Sequence, residues 1–413
     1  MRILYLSQYF PPEVGATQTR AYEMAKGLVK AGHEVTVLTE VPNHPSGIIA
    51  EAFRGKLWVR RELDGIEVIH AWVKASPEKT LVTRMSFYLS YMFMATLTGL
   101  LAARGKFDVI YCTSPPLFAG GAGLALSYLR RTPLVFEVRD LWPESAVALG
   151  ELNNQTAIRL SAWLARRCYA RAQQIVGVTQ GIMAGLRELG VPPSKLNFIP
   201  NGANTDLFQP RPDGACRVRQ RFNLTGKFVA AYAGILGLAY SLETILYAAQ
   251  QLEAEPDYQF LIIGAGPRER ELRALLQELA LTNVNFVGEV PYDELPDYLS
   301  AADVSLVPLR ELSFFNGTLP VKMFDAWACE TPTILTVNDG EAVAATAAAG
   351  AGLVIRPEDP AAMVAALREI ATWSETRPEA GRQGREFVLA HYSRQRQAEQ
   401  LAEILQGVII RAI

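Results

Sequence analysis

Short runs of β-branched and apolar residues alternate along this chain with longer stretches whose apolar positions recur every three to four residues. The first three, RILYLSQ, TRAYEMAKGLVKAG and HEVTVLTE, predict a strand, a helix and a strand. Gly32 stands where the helix stops, and His33 opens the second strand. IEVIHAW, FDVIYCTS, TPLVFEVRD and QQIVGVT continue the series, separated by helical sequence such as ATLTGLLAARG and AIRLSAWLARRCYARA. Strands this uniformly apolar predict a parallel sheet covered on both faces. The Pro-rich IPNGANTDLFQPRPDG, near residues 199 to 214, interrupts the rhythm. A second α/β series follows, from KFVAAYAGI through YQFLIIGAG, NVNFVGEV, DVSLVPL and TPTILTV to GAGLVIRP, and a long helical stretch ends the chain.

The pattern predicts an α/β protein with two Rossmann-like parallel-sheet domains. We place the first at residues 1–205, a linker at 206–225, the second domain at 226–385, and a C-terminal helix at 386–413 that returns toward the first. The 413 residues agree with two domains, because one core seldom grows beyond roughly 250 to 300 residues.

Charge changes the picture little. Lys plus Arg (40) nearly balance Asp plus Glu (42), so no global field draws the chain to nucleic acid, and any anion site must be local. Cys112, Cys168, Cys216 and Cys329 are scattered, without metal-ligand spacing, which fits a reducing compartment. The N-terminal apolar run breaks at Pro11 and Pro12, too soon for an export signal. Nineteen uncharged residues at 85–103 admit three readings: a buried helix, a membrane-surface helix and a bilayer span. Basic residues such as Arg60, Arg61, Lys74 and Arg84 precede them.

Ligands of open parallel sheets bind at the carboxyl ends of the strands. There, Gly15 opens a helix in the first half, where an anion could meet free N–H groups or a turn could simply need glycine. Gly234 and Gly237 repeat that geometry in the second half. IIGAGPRERE lacks the third glycine of the dinucleotide fingerprint. FFNGTLPVKMFDAWACETPTIL carries a loop with Gly317, Thr318 and Leu319, then Pro320 to open a helix that puts Lys322 and Asp325 on one face. Lys322 could meet a phosphate and Asp325 a ribose, or the two could be a solvated pair. Arg139, Asp140 and Trp142 follow an apolar strand. They could be catalytic, or a structural salt bridge with a core tryptophan. His44, in a loop, is a candidate contact for an acceptor.

PPEVGA, AGHEVTVLT, RDLWPES, IPNGANTDLF, IIGAGPRERELR, NFVGEV and FDAWACETPTIL, in this order, make nearly the whole chain resemble the retaining glycosyltransferases of family 4. It looks most like their bacterial branch acting in O-antigen, capsule and exopolysaccharide assembly, including L-fucosamine-type transferases. The resemblance implies the two-domain GT-B fold with an interdomain cleft, an acceptor-binding first domain and a nucleotide-sugar-binding second one. It implies transfer from a nucleoside-diphosphate sugar, UDP-linked for preference, to a glycan or a polyprenyl-diphosphate-linked sugar, with no required cofactor or metal. The early break of the N-terminal apolar run and the uncharged 85–103 stretch with its basic approach add the expectation of a cytoplasmic enzyme with peripheral contact to the inner membrane.

Carried over by residue, Gly15 lies near the donor diphosphate, Val290 meets the base through its backbone, and Asp325 holds the ribose. Two departures stand out. The family's first glutamate is Gly317 here, and the Arg and Lys that usually follow the glycine corresponding to Gly234 are absent. Lys322 is the candidate replacement, helped by Arg139 and Arg268. Arg139 stands where many relatives have histidine. Donor contacts are therefore expected from Gly15, Gly234, Gly237, Arg268, Val290, Thr318, Leu319, Lys322 and Asp325. Catalysis is expected from Arg139, Asp140 and Lys322, and acceptor contact from His44 and Trp142. The rival readings are a sugar-nucleotide 2-epimerase and a catalytically weak donor-binding protein.

Overall fold

The computed structural model describes residues 1–413 apart from 14, 45, 79, 149–151, 313–316, 374 and 413. It divides into two compact units, Met1–Pro200 with Arg394–Ile413, and Asn201–Ser393.

The first unit holds strands β1 (Arg2–Leu6), β2 (Glu34–Glu40), β3 (Trp58–Leu63), β4 (Ile66–Ala71), β5 (Val109–Ser114), β6 (Leu134–Val138), β7 (Gln174–Gly177) and β8 (Leu196–Phe198). Their order in the sheet is β3-β4-β2-β1-β5-β6-β7-β8, so sequence order reverses between β1 and β5. Tyr5, Val37 and Tyr111 face one apolar layer and Leu4, Leu38 and Cys112 the other, as side-chain alternation in a doubly covered sheet requires. One strand departs from the parallel expectation: β3 runs antiparallel to β4. Asp64 and Gly65 join them, both at positive φ (49° and 77°). That two-residue Asp-Gly turn has the twist that closes a hairpin.

The second unit holds β9 (Phe228–Ala233), β10 (Tyr258–Ile263), β11 (Val284–Gly288), β12 (Val304–Pro308), β13 (Thr333–Thr336) and β14 (Gly352–Ile355). The order β11-β10-β9-β12-β13-β14 is that of a dinucleotide-type Rossmann sheet, whose ligand crevice opens where the order reverses, between β9 and β12.

Two expectations change, and a third is narrowed. The segment expected to be a linker carries helix Pro212–Arg221. Pro212 starts that helix instead of breaking the chain, and Arg211 and Arg217 both pair with Asp297, at 3.2 and 3.0 Å. The single C-terminal helix is two, Arg377–His391 in the second unit and Arg394–Ala412 in the first. The latter packs on helix Ala16–Lys30, where a Cβ on Gly27 would lie 2.3 Å from that of Ala398. Finally, helix Leu81–Leu101 is apolar on two sides. Tyr91, Met94, Ala95 and Thr98 are buried, whereas Val82, Leu89, Phe93 and Leu101 are exposed. No helix among the described residues is long and apolar enough to cross a membrane.

Candidate active site

In the second unit the crevice is built from backbone. At the ends of β9 and β10, Gly234 N–H donates to Ile263 O (2.9 Å), Leu236 N–H to Ala265 O (2.9 Å) and Arg268 N–H to Leu236 O (3.1 Å). Gly264 N–H donates in turn to Gly288 O, beyond β11, at 2.7 Å. Side chains have no room here. A Cβ on Gly264 would lie 2.0 Å from Gly234 O, and one on Gly266 2.5 Å from Leu236 O. Gly237 lies in the same loop, before helix Leu242–Gln251.

Lys322 enters this crook from helix Val321–Ala328. Its Nζ donates to Ala233 O at 2.9 Å and lies 4.8 and 4.6 Å from the ring centroids of Tyr232 and Tyr240. A Cβ on Gly234, whose φ is +140°, would fall 1.7 Å from that nitrogen. Glycine is the residue that admits the lysine. Burial lowers the Lys322 pKa to about 8, and the nearby Asp325 pulls in the other direction. An ammonium has three donors, and the Ala233 carbonyl takes one. The tyrosine faces hold the cation without neutralising it, as rings do.

Asp325 is one turn further along the helix, partly buried. Thr318 and Leu319 precede the helix, which Pro320 caps, and the Leu319 side chain is buried in the core. The preceding loop residues, 313–316, lie outside the described residues. Val290 is partly buried beyond the end of β11. Arg268 departs from expectation: its guanidinium is held by Glu271 (2.6 and 3.1 Å), Glu243 (2.7 Å) and Tyr240 O (3.2 Å). With its donors so engaged, it braces the glycine loops instead of offering a bare cation.

In the first unit, Arg139 lies just past β6, above a buried ion pair that sequence reasoning missed. Arg20, on helix Ala16–Lys30, donates to Glu137 Oε1 through Nη2 (2.8 Å) and Nε (3.1 Å). Glu137 Oε2 accepts from Thr113 Oγ1 at 2.6 Å. Arg20 also donates to Pro200 O (2.8 Å) and Ile199 O (3.0 Å). Burial alone would raise the Glu137 carboxyl, but Arg20 and Arg139 outweigh it and hold it below the ordinary carboxylate range. Among the described residues, Arg139 Nε and Nη1 are buried without a hydrogen-bond partner. Burial, with Glu137 and Arg20 acting in opposite directions, leaves its pKa below the usual arginine value. Two guanidinium groups over one carboxylate leave a net positive charge at the strand ends, which suits an anionic or strongly accepting ligand group. Asp140 is the next residue. Trp142 is partly buried, edge-on to Phe118 at 6.4 Å, so its ring contributes to packing.

Gly15 caps helix Ala16–Lys30, and its carbonyl accepts from Thr19 N–H at 2.9 Å. His44 is exposed, and its backbone N–H donates to Glu13 Oε1 (2.7 Å), which Asn43 N–H shares (2.7 Å). Beside it Glu40 ends β2, held by Asn43 Nδ2 and Gln8 Nε2, each at 2.8 Å. Burial, then the charge of Glu13, raises the Glu40 carboxyl well above its usual value. Glu40 and His44 line an open cavity of about 270 Å³ together with Tyr9, Arg84, Phe87 and Tyr88. A strand-terminal glutamate followed by V-P-N-H is the only hint of this site in the sequence.

The family comparisons agree with this architecture. Residues 15–202 match the Glycosyl transferase 4-like domain, and residues 217–387 match Glycosyl transferases group 1. The chain is a glycosyltransferase of the family 4 type. This glycosyltransferase is 24% identical over 377 residues to the putative colanic acid biosynthesis glycosyl transferase WcaI of Escherichia coli (strain K12), covering 89% of this chain and 92% of that one. Among solved structures it resembles sucrose-phosphate synthase from Thermosynechococcus elongatus, with a TM-score of 0.76, 20% identity and 99% coverage of each chain. It also resembles HepE of Anabaena in complex with UDP-glucose, with a TM-score of 0.73, 18% identity and coverage of 98% and 100%. At such identities the structures establish the GT-B fold of the glycosyltransferase and no more.

Proposed function

We propose that this glycosyltransferase moves a sugar, with retention at C1, from a UDP-sugar to a glycan or polyprenyl-diphosphate-linked acceptor in cell-surface polysaccharide synthesis. The reading rests on one observation, the Lys322 ammonium held against Ala233 O inside a crook of bare glycine backbone. A held cation in a crook without side-chain bulk can receive a diphosphate, because it presents positive charge where the anion can approach closely.

In this reading the second unit holds the donor. Lys322 meets the diphosphate, Thr318 and Leu319 offer N–H groups to it, Asp325 accepts from the ribose, and Val290 contacts the base through its backbone. Gly234 and Gly237 let the ligand approach. As the bond from C1 to the diphosphate oxygen breaks, negative charge grows on the leaving group, and a cation already in place stabilises it without reorganisation. The acceptor oxygen bonds to C1 on the face being vacated, and its proton passes to the departing phosphate oxygen. The first unit receives the acceptor: His44 and the Glu40 cavity accept its hydroxyls, while Arg139 and Asp140 offer opposite charges beside it. The base and the cell-surface role are suggested by the HepE complex and by the named role of WcaI.

The test measures nucleotide release and binding with UDP- and GDP-sugars. UDP-sugars should bind with micromolar to millimolar Kd, and release of UDP should require an acceptor. Binding of neither class at millimolar concentration sinks the reading. Equilibration of two UDP-sugars without acceptor would make the protein an epimerase instead.

A further inference from the structure

Three loops of the second unit are joined near Lys322 by one carboxylate. Glu243 stands in the first turn of helix Leu242–Gln251, directly after the glycine loop that follows β9. Its Oε2 accepts from Arg268 Nη1 at 2.7 Å, and its Oε1 accepts from Arg310 Nη2 at 2.6 Å. Arg268 belongs to the loop after β10, and Arg310 to the segment after β12. Each oxygen therefore holds a different loop. Partial burial alone would raise the Glu243 carboxyl, but Arg268, the residue's own backbone N–H and Arg310 outweigh it and hold it below its ordinary value.

Both arginines pass that hold on to the same short stretch of backbone. Arg268 Nη1 also donates to Tyr240 O at 3.2 Å. Arg310 N–H donates to Ala239 O (3.2 Å), and Ser241 N–H to Pro308 O (2.8 Å). Between these bonds, Tyr240 and Leu309 form an isolated antiparallel bridge. The residue fixed in this way is Tyr240, whose ring is one of the two over Lys322 Nζ. It meets the other, Tyr232, edge-on at 5.7 Å. Among the described residues, no hydrogen bond or ion pair joins Glu243 to Lys322 itself.

We propose that Glu243 is a positioning residue for sugar transfer: by holding Arg268 and Arg310 at once, it keeps the Tyr240 ring against the Lys322 ammonium and the ammonium in the donor crook. Its role in transfer rests on the reading of Lys322 as the diphosphate contact. The groups that face Nζ are Tyr232, Tyr240, the Ala233 carbonyl and, from its own helix, Asp325. When Tyr240 leaves, water reaches Nζ, and the burial that lowers the Lys322 pKa is relieved. Loss of the Glu243 charge by itself acts in the other direction, because removing a carboxylate disfavours a nearby cation. The sign of the shift separates a loosened cage from a lost charge.

Nitrogen NMR of the lysine ammonium groups in the full, ligand-free chain measures that shift without substrate, with Lys322→Gln assigning the signal. Glu243→Gln and Arg310→Met break the link from its two sides. Each should raise the Lys322 pKa from about 8 by about one unit or more toward 10.5. Glu271→Gln removes the other carboxylate on Arg268 and no contact of Arg310, so it should leave the value within about 0.3 unit. Donor kcat/KM of Glu243→Gln at pH 7 should fall about tenfold or more although Lys322 is charged in both proteins there, because the cation is misplaced. The alkaline limb of its pH profile should move up with the pKa. An unchanged or lowered Lys322 pKa in either folded variant overturns the positioning role, as does an equal rise in Glu271→Gln. A raised pKa together with full transfer by Lys322→Gln would leave the cage standing and sink the diphosphate reading instead.

Discussion

Replacing Lys322 by glutamine removes one charge from the donor crook and little volume. The fall of its pKa from 10.5 to about 8 means that the empty site disfavours the ammonium by about 3 kcal/mol relative to water. A bound diphosphate reverses that preference. Two consequences follow in opposite directions. Transfer by Lys322→Gln should drop about 100-fold or more, the usual cost of removing a group aimed at developing charge. The wild-type kcat/KM for donor should itself fall about tenfold per pH unit above pH 8, as the free enzyme loses the proton. Stability should move the other way. The folded pKa lies below the unfolded one, so between pH 8 and about 10.5 the unfolded chain binds more protons, and ligand-free wild type gains stability as pH rises through that window. Below pH 8 the penalty is fully present. Lys322→Gln should flatten this slope and leave the empty protein at least as stable as wild type at neutral pH. Urea titrations across the pH range and a nucleotide-release assay measure both. Activity of Lys322→Gln within about threefold of wild type, or a wild-type profile flat to roughly pH 9.5, would refute the role given to the ammonium.

Gly234→Ala should cost transfer as much as the lysine variant does, because its Cβ would displace Nζ from a 1.7 Å approach. It should also lower stability by about 1 to 3 kcal/mol for a non-glycine residue at φ +140°, read by the same two assays. Glu137→Gln strands the buried Arg20 and should destabilise the protein by about 3 to 5 kcal/mol in urea; a loss under about 1 kcal/mol would mean that the pair is solvated. Arg139→Met removes two buried donors without partners. Stability should hold or rise by about 1 kcal/mol while nucleotide release falls at least about tenfold, and a stability loss with intact turnover would make Arg139 structural.

What the chain announces locally, it builds. The two periods, about two for strands and about 3.6 for helices, mark both α/β series, and glycines at 234, 264 and 266 mark the strand ends where backbone meets backbone. The Asp64–Gly65 turn was equally legible as a hairpin signal, and the uniform apolar strands around it concealed β3. Pro212, by contrast, reads as a breaker until its neighbours show it at the first turn of a helix.

The site was legible as loops and not as contacts. Lys322 and Asp325 share a helix face by spacing alone, but the partners of Lys322 come from β9 and the loop beyond it, joined to that helix only by the order of strands in the sheet. Arg268 looks as available as Lys322 in the sequence, yet Glu243 and Glu271 consume it. Arg20 and Glu137 lie in an ordinary helix and an ordinary strand, and no local period says that they meet. Periodicity fixes which face a residue takes, because that depends on its neighbours along the chain. Which side chain fills a gap at a strand end depends on how strands order across the sheet, a competition among long-range packings that the folded structure alone resolves.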